Sequence, residues 1–402
     1  MNIAIISHAY PIPGNKNAAE FVHGLASAMV KLGHNVYVII PNDEKIKKIK
    51  TIDGVNIVTY KSKDTISHGR ADNRYLKIPH FKVFFSLLNS FLKLNKTVKE
   101  KKIDIIHAHW AIPSGFIGTL VKSFTNTPLV ITMHGRDVYL NPEVGFIVPN
   151  IRYIKPFLKK SLKSADKLIA ISKDCYNHAK KAGAPEENMS VIYNGVDTDR
   201  FYPNKNDRKK ILEKLSIPAN AKIILTVRSL NYRKGIDVLI DAMPKILKNN
   251  KNTYLLIAGD GPEKQNLKKL QKKLELEDKI IFLGHIPNEK LPMYENSCDL
   301  FVIPSREEGF GVAAAEAMAC GKPVVGTTAG GLKETIKHGV TGLLVEPDNF
   351  EQLANSIIKI LKDKKLSEKL SKNALEKIEK DYNWMNIAKE TIQLYKKCIK
   401  QK

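Results

Sequence analysis

Apolar residues in this chain fall into two alternating patterns, short unbroken runs and longer stretches with one apolar face. Runs at 3–7, 36–40, 55–60, 103–109, 129–134, 167–172 and 191–194 are rich in Ile, Val and Leu, as expected of strands, most of them buried on both sides of a sheet. A helix is predicted over 18–32, ended by Gly33. A second series at 222–228, 254–259, 280–284, 300–304 and 323–326 keeps the same rhythm, with helices at 236–247 and 312–320. Strand, loop, helix and strand in repetition predict parallel sheets with helices on both faces. In such sheets ligands gather at the carboxyl ends of the strands. The 402 residues exceed the roughly 250–300 at which a single core stops growing, so two α/β domains are expected.

The most informative stretch is SREEGFGVAAAEAMACGKPVV, residues 305–325. Glu316 falls in the second turn of the predicted helix, and its neighbours on that face, Val312, Ala313, Ala319 and Cys320, are small and apolar. A carboxylate there needs hydrogen-bond donors, because burying it unpaired is costly. Sugar or ribose hydroxyls would supply them. Glu308 stands in the loop before the helix, so the two carboxylates bracket a ligand. Between them the amides of Phe310, Gly311 and Val312 open a helix, where free donors and the backbone dipole suit a diphosphate. The plainer reading is a surface glutamate before a helix whose alanines allow close packing.

Other strand ends carry chemistry too. Arg228 closes the run 222–228 and Lys234 precedes the helix 236–247; a planar guanidinium fork and an ammonium point charge both suit phosphate. His134 closes the run 129–134, with Asp137 three residues on as a weaker candidate. His107 and His109 share one face of their strand, but as metal ligands they lack a third partner nearby.

Glu308 and Glu316 with seven residues between them, Phe310-Gly311, and the run EAMACGKPV resemble the retaining GT-B glycosyltransferases of family 4, the glycosyl transferases group 1. The resemblance extends over essentially the whole chain. It implies two Rossmann-like α/β domains facing a central cleft: an acceptor-binding domain over 1–197 and a nucleotide-sugar-binding domain over 198–380. A terminal helix over 381–402 would cross back to pack on the first domain. It further implies that Glu308 contacts the donor sugar, that Glu316 holds the ribose hydroxyls, and that His134 lies beside the reacting sugar. Arg228 and Lys234 would take the leaving diphosphate, the backbone at Ile286 would seat the base, and Gly14 would approach a phosphate. The family usually has Gly-Gly at this last place, where this chain has Gly14-Asn15. Catalysis is thus expected of His134, Glu308, Arg228 and Lys234, with no metal and no cofactor beyond a nucleoside-diphosphate sugar as co-substrate. Asp197-x-Asp199 invites comparison with a metal-binding D-x-D, but it follows a turn in the interdomain linker of a fold that is usually metal-independent. The implied reaction moves a hexose, with retained configuration, to a glycan or lipid-linked acceptor. A GT-B sugar-nucleotide epimerase is the alternative on the same fold.

Charge brings in a further partner. The chain has 65 Lys and Arg against 41 Asp and Glu, a net charge of +24, which calls for nucleic acid, an anionic membrane or a phosphorylated substrate. A basic nucleic-acid-binding protein is the rival from another class; no RNA or DNA motif supports it, and nucleic acid is not expected. Residues 81–94 predict a helix with Phe81, Phe84, Phe85, Leu88, Phe91 and Leu92 on a broad apolar face among lysines. Such a helix suits a membrane interface. A core helix with snorkelling lysines fits the same pattern and is the reading taken for most of these apolar residues; an exposed end would add an anionic membrane surface as a partner. No run approaches the ~20 apolar residues of a membrane span, and the first strand starts at once. A cytoplasmic location, peripheral on the inner membrane face, is therefore expected. Cys175, Cys298, Cys320 and Cys398 are far apart and read as reduced, mostly buried thiols.

Overall fold

The computed structural model of the chain describes residues 1–11, 19–42, 50–62, 80–135, 137–139 and 151–400; the side chains at 80–82 and 151–154 lie outside that description. Contacts divide the chain into two units, Met1–Gly195 with Trp384–Lys402, and Val196–Asn383.

The first unit holds β1 (Asn2–Ile6), β2 (Asn35–Pro41), β3 (Thr51–Ile52), β4 (Val55–Tyr60), β5 (Ile105–His109), β6 (Leu129–Met133), β7 (Lys167–Ala170) and β8 (Met189–Val191). They form one sheet in the order β3-β4-β2-β1-β5-β6-β7-β8, parallel except for the β3–β4 pair. Its helices are α1 (Glu20–Lys31), α2 (His80–Glu100), α3 (Phe116–Thr125), α4 (Ile151–Ser164) and α5 (Lys173–Lys181). β5 and β6 are buried at every residue, which is why they read as unbroken runs rather than as alternating ones. The last strand comes earlier than the run at 191–194 suggests. Its partner β7 ends at Ala170, whose carbonyl takes a final bond from the Ile192 amide at 3.1 Å, and the ladder stops there.

The second unit holds β9 (Lys222–Val227), β10 (Thr253–Ala258), β11 (Ile280–Gly284), β12 (Leu300–Ile303), β13 (Val324–Thr327) and β14 (Leu343–Val345). This sheet is wholly parallel, in the order β11-β10-β9-β12-β13-β14. Around it lie α6 (Asn206–Lys214), α7 (Ile236–Asn249), α8 (Lys264–Lys273), α9 (Leu291–Ser297), α10 (Val312–Ala319), α11 (Leu332–Thr335), α12 (Phe350–Lys362) and α13 (Lys364–Asp381). Leu255, Ile257, Val302 and Val325 of the sheet pack with Leu239 and Met243 of α7 and Leu353 and Ile357 of α12 to make its core.

The final helix, α14 (Trp384–Lys400), belongs to the first unit, where it packs on α1. Ile387, Ile392 and Tyr395 join Val22, Leu25 and Met29 in one cluster. The Trp384 indole lies against Gly24 and Gly195, and a β-carbon at either glycine would overlap its ring. The unit boundaries fall at 195/196 and 383/384, not at the 197/198 and 380/381 drawn from sequence. The reason is local: α13 runs to Asp381, and the Val196 amide then bonds the Tyr382 carbonyl at 2.7 Å, holding the two crossings of the chain side by side.

Helix α2 departs from the core reading. Its buried stripe is Ser86, Ser90, Leu94, Thr97 and Val98, whereas Phe84 is 62 % exposed, Phe85 56 % and Leu92 52 %. The serines tolerate burial because Ser90 donates to the Leu87 carbonyl at 2.7 Å and Ser86 bonds Ser62 at 2.9 Å. Phe81 lies outside the described side chains. Among the described residues no helix is long and apolar enough to cross a membrane.

Candidate functional site

In the second unit the strand order reverses between β9 and β12, which places a crevice at their carboxyl ends. Arg228 follows β9 directly, and 305–308 follow β12. The two loops meet through charge. Glu308 Oε2 accepts from Arg228 Nη2, from Lys234 Nζ at 2.9 Å and from Ser305 Oγ at 3.4 Å. Backbone contacts hold these groups in place. The Arg228 amide donates to Ala258 at 2.8 Å, and Gly259, at φ 132, lies against the Arg228 carbonyl where no side chain fits. The Gly331 amide donates to the Glu308 carbonyl at 2.9 Å. Arg306 ties the Lys234 turn to the Glu308 loop by bonding Asp237, Asp348 and the Tyr232 carbonyl.

Burial alone would push the Glu308 carboxyl up, but Arg228 and Lys234 together outweigh it and hold the group well below the usual carboxylate range. Burial, followed by the Arg228 charge, brings the Lys234 ammonium down to about 8, with Glu308 opposing. The Arg228 side chain is 5 % exposed, and its Nε and Nη1 are buried with no hydrogen-bond partner. Buried N–H groups are almost always paired, so these two point to an acceptor that the described residues do not provide.

The neighbouring helix offers a second set of donors. α10 begins at Val312 with Gly311 as its N-cap at φ 90, without a side-chain cap; a β-carbon at Gly311 would meet Leu332 at 2.5 Å. The Phe310 ring is core, edge-on to Tyr382 at 5.1 Å, and its carbonyl accepts from Thr335 Oγ1. The Glu316 side chain is 15 % exposed, with Arg200 Nη2 at 4.0 Å. Close to it stands Glu295, wholly buried, whose carboxyl is pushed well up by burial and then by Glu316. Neither Arg200 nor Glu295 carries a sequence signal, since each reaches Glu316 only through the fold. Ile286 is buried just past β11, two strands from β9, which is about 10 Å across a sheet.

His134 belongs to the first unit, as does Gly14, which lies outside the described residues. There the strand order reverses between β1 and β5, and the carboxyl ends of β1, β5 and β6 bring His8, His109, Trp110 and His134 together. His109 Nδ1 and His134 Nε2 are 2.9 Å apart with their rings stacked at 5.2 Å. Phe21 and Trp110 pack on His134 at 4.4 and 4.8 Å. Asp137 supports the loop: its carboxylate accepts from the amides of Ala111 at 2.8 Å and His134 at 3.0 Å, and burial pushes it up to about 6. Burial lowers His8 to about 4, and burial with the neighbouring imidazoles takes His109 and His134 well below their ordinary value. All three rings are therefore neutral at pH 7.

Neutrality has a consequence for what the pair can bind. One proton lies in the His109–His134 bond, so of the outward atoms, His109 Nε2 and His134 Nδ1, one carries the second proton and the other a lone pair. Both are buried and have no partner among the described residues. A hydroxyl, which donates and accepts at once, matches that pair. Sequence reasoning singled out His134 and set His109 aside with the metal question; the face that His109 shares was the available signal.

Residues 18–200 match the model described as Glycosyltransferase Family 4, and residues 207–377 the one described as Glycosyl transferases group 1. Glycosyltransferase MJ1607 of Methanocaldococcus jannaschii is 33 % identical over 98 % of both chains. The chain belongs to the glycosyl transferases group 1 family. This glycosyltransferase is also 27 % identical, over 67 % of its length and 70 % of the relative's, to a GDP-mannose-dependent alpha-(1-6)-phosphatidylinositol monomannoside mannosyltransferase of Mycolicibacterium smegmatis. Its fold superposes on the sucrose-phosphate synthase of Thermosynechococcus elongatus with a TM-score of 0.82, 25 % identity and full coverage of both chains. Its two α/β units are those of a GT-B glycosyltransferase.

Proposed function

We propose that this glycosyltransferase moves a hexose, with retained configuration, from a nucleoside-diphosphate sugar to a glycan or lipid-linked acceptor in cell-surface polysaccharide or glycolipid synthesis. The observation that carries the reading is the pair of unpartnered, buried N–H groups on Arg228 beside Lys234 and the uncapped start of α10. A diphosphate satisfies all three sets of donors. As the bond from the sugar's anomeric carbon to the diphosphate oxygen breaks, charge collects on that oxygen, and Arg228 and Lys234 stabilise it without reorganising. The acceptor hydroxyl bonds to the same face of the carbon, and its proton passes to the leaving phosphate. Glu316 takes the ribose hydroxyls, the backbone at Ile286 the base, and Glu308 the donor sugar. In the first unit, His134 faces a sugar hydroxyl.

A panel of UDP-glucose, UDP-N-acetylglucosamine, GDP-mannose and ADP-glucose tests this by thermal stabilisation. At least one member should raise the melting temperature of the wild type and none that of Arg228→Ala or Glu316→Ala; equal shifts in all three proteins would refute the assignment. Turnover should survive EDTA, because cationic side chains meet the leaving charge.

A lipid-borne acceptor has independent support. Phe84, Phe85, Leu88 and Leu92 of α2 are exposed, Phe91 contacts the exposed Phe124 of α3 at 5.6 Å, and Phe116 of α3 contacts the half-exposed Phe157 of α4 at 5.1 Å. The sequences of these three helices carry Lys82, Lys93, Lys96, Lys99, Lys122, Arg152, Lys155, Lys159, Lys160 and Lys163 against a single acid, Glu100. An aromatic strip on helices this rich in cations suits an anionic bilayer surface. The mannosyltransferase relative is likewise named for an acceptor built on phosphatidylinositol.

A further inference from the structure

Behind the histidine pair stands another imidazole, bonded only to protein hydroxyls among the described residues. His107 is wholly buried and bonded at both nitrogens: Tyr395 Oη lies 2.5 Å from Nδ1 and Thr132 Oγ1 2.6 Å from Nε2. Tyr395, on α14, is itself 0 % exposed, and its ring meets the imidazole edge-on at 5.6 Å. The other face of the arrangement is His109, whose ring lies 4.5 Å from that of His107. A continuous series thus runs from the last helix through His107 and His109 to His134.

An imidazole with one bonded nitrogen can rock about its bond and exchange tautomers. One bonded at both nitrogens keeps a single ring plane, and since its two partners here are hydroxyls that donate or accept, they hold that plane in either tautomer. The imidazole against which the His109 ring lies, tilted by 36°, therefore has its plane set by a hydroxyl 288 positions away in the sequence. Nothing else about Tyr395 requires a hydroxyl, since phenylalanine fills the same space among Ile387, Ile392 and the sheet.

We propose that Tyr395 is a positioning residue: through the bond to His107 it holds the His107, His109 and His134 rings in the one arrangement that presents a paired donor and acceptor to a sugar hydroxyl. The kinetic part rests on the reading of that pair given above. It makes α14 part of the reactive machinery and not only a structural strap.

The test is Tyr395→Phe in the full chain, with Thr132→Val as a second variant at the opposite nitrogen. Histidine side-chain nitrogen NMR of the free protein should show both His107 nitrogens hydrogen-bonded in the wild type, with the Nδ1 signal shifting in Tyr395→Phe and the Nε2 signal in Thr132→Val as each loses its hydroxyl partner. The His109 and His134 ring signals should move with them, although neither substitution touches those rings. Turnover of the four nucleotide sugars named above should show kcat falling roughly fivefold to tenfold, the size of one net buried hydrogen bond, with KM for the donor unchanged. His109 and His134 signals that stay at their wild-type positions in Tyr395→Phe overturn the proposal. So does a wild-type kcat in Tyr395→Phe when His134→Ala is slow. A wild-type kcat in His134→Ala instead removes the reading of the histidine pair, and the NMR result then decides the positioning claim by itself.

Discussion

Replacing Glu308 by Gln keeps the shape of the side chain and removes the anion that bonds both Arg228 and Lys234. At 2.9 Å a unit-charge pair is worth about 6 kcal/mol at an effective dielectric constant of ~20. Desolvation has already offset part of that, and breaking such a pair from one side costs about 3–5 kcal/mol. The lower end applies here. Lys234, already brought down to about 8, can shed its proton when its counter-charge disappears, while the guanidinium of Arg228 cannot. For a unit of this size a loss of about 3 kcal/mol lowers the melting temperature by about 6–12 °C. Acid does not mimic the substitution: the Glu308 carboxyl lies well below its ordinary range, so its stabilisation is present above the ordinary carboxylate pKa and is lost only in strong acid. Scanning calorimetry at pH 7, with and without saturating UDP or GDP, reads the effect. The free variant should melt early, and the diphosphate, which restores negative charge at the cations, should stabilise it by more degrees than it does the wild type. A variant that melts with the wild type and gains no more from UDP would show that the Glu308 carboxylate does not balance the Arg228 and Lys234 charges.

The Lys234 ammonium should also set the upper pH limit of binding. It is charged below about 8 and neutral above, so diphosphate affinity by calorimetric titration should be flat from pH 6 to 7.5 and then weaken about tenfold per unit; Lys234→Arg, always charged, should abolish that fall. In Gly195→Ala the new methyl overlaps the Trp384 ring, and overpacking of about 1–3 kcal/mol should lower the melting temperature and expose α14 to carboxypeptidase; unchanged digestion would argue against the contact. The pair Phe84→Ser and Phe85→Ser should leave melting unchanged, because both rings are exposed. It should reduce flotation with phosphatidylglycerol vesicles at least about tenfold, given the ~1.5–3 kcal/mol that a buried Phe contributes; wild-type flotation would remove the aromatic strip from the docking surface.

The alternation of strands and helices, the two-unit layout and the residues at strand ends were legible in the sequence because each depends on local physics. A parallel strand covered on both faces must be an unbroken apolar run, and the loop after it must start with whatever faces the carboxyl edge. Arg228, His134 and the 305–316 segment were visible on those grounds. What each of them touches was decided by the tertiary structure, since Glu308 meets Arg228 across 80 residues and Tyr395 meets His107 across 288. No periodicity encodes such a distance. Helix α2 shows the same limit from the other side: its pattern announces an apolar face, but whether that face or the serine stripe opposite packs on the protein depends on the shape of the surface it meets.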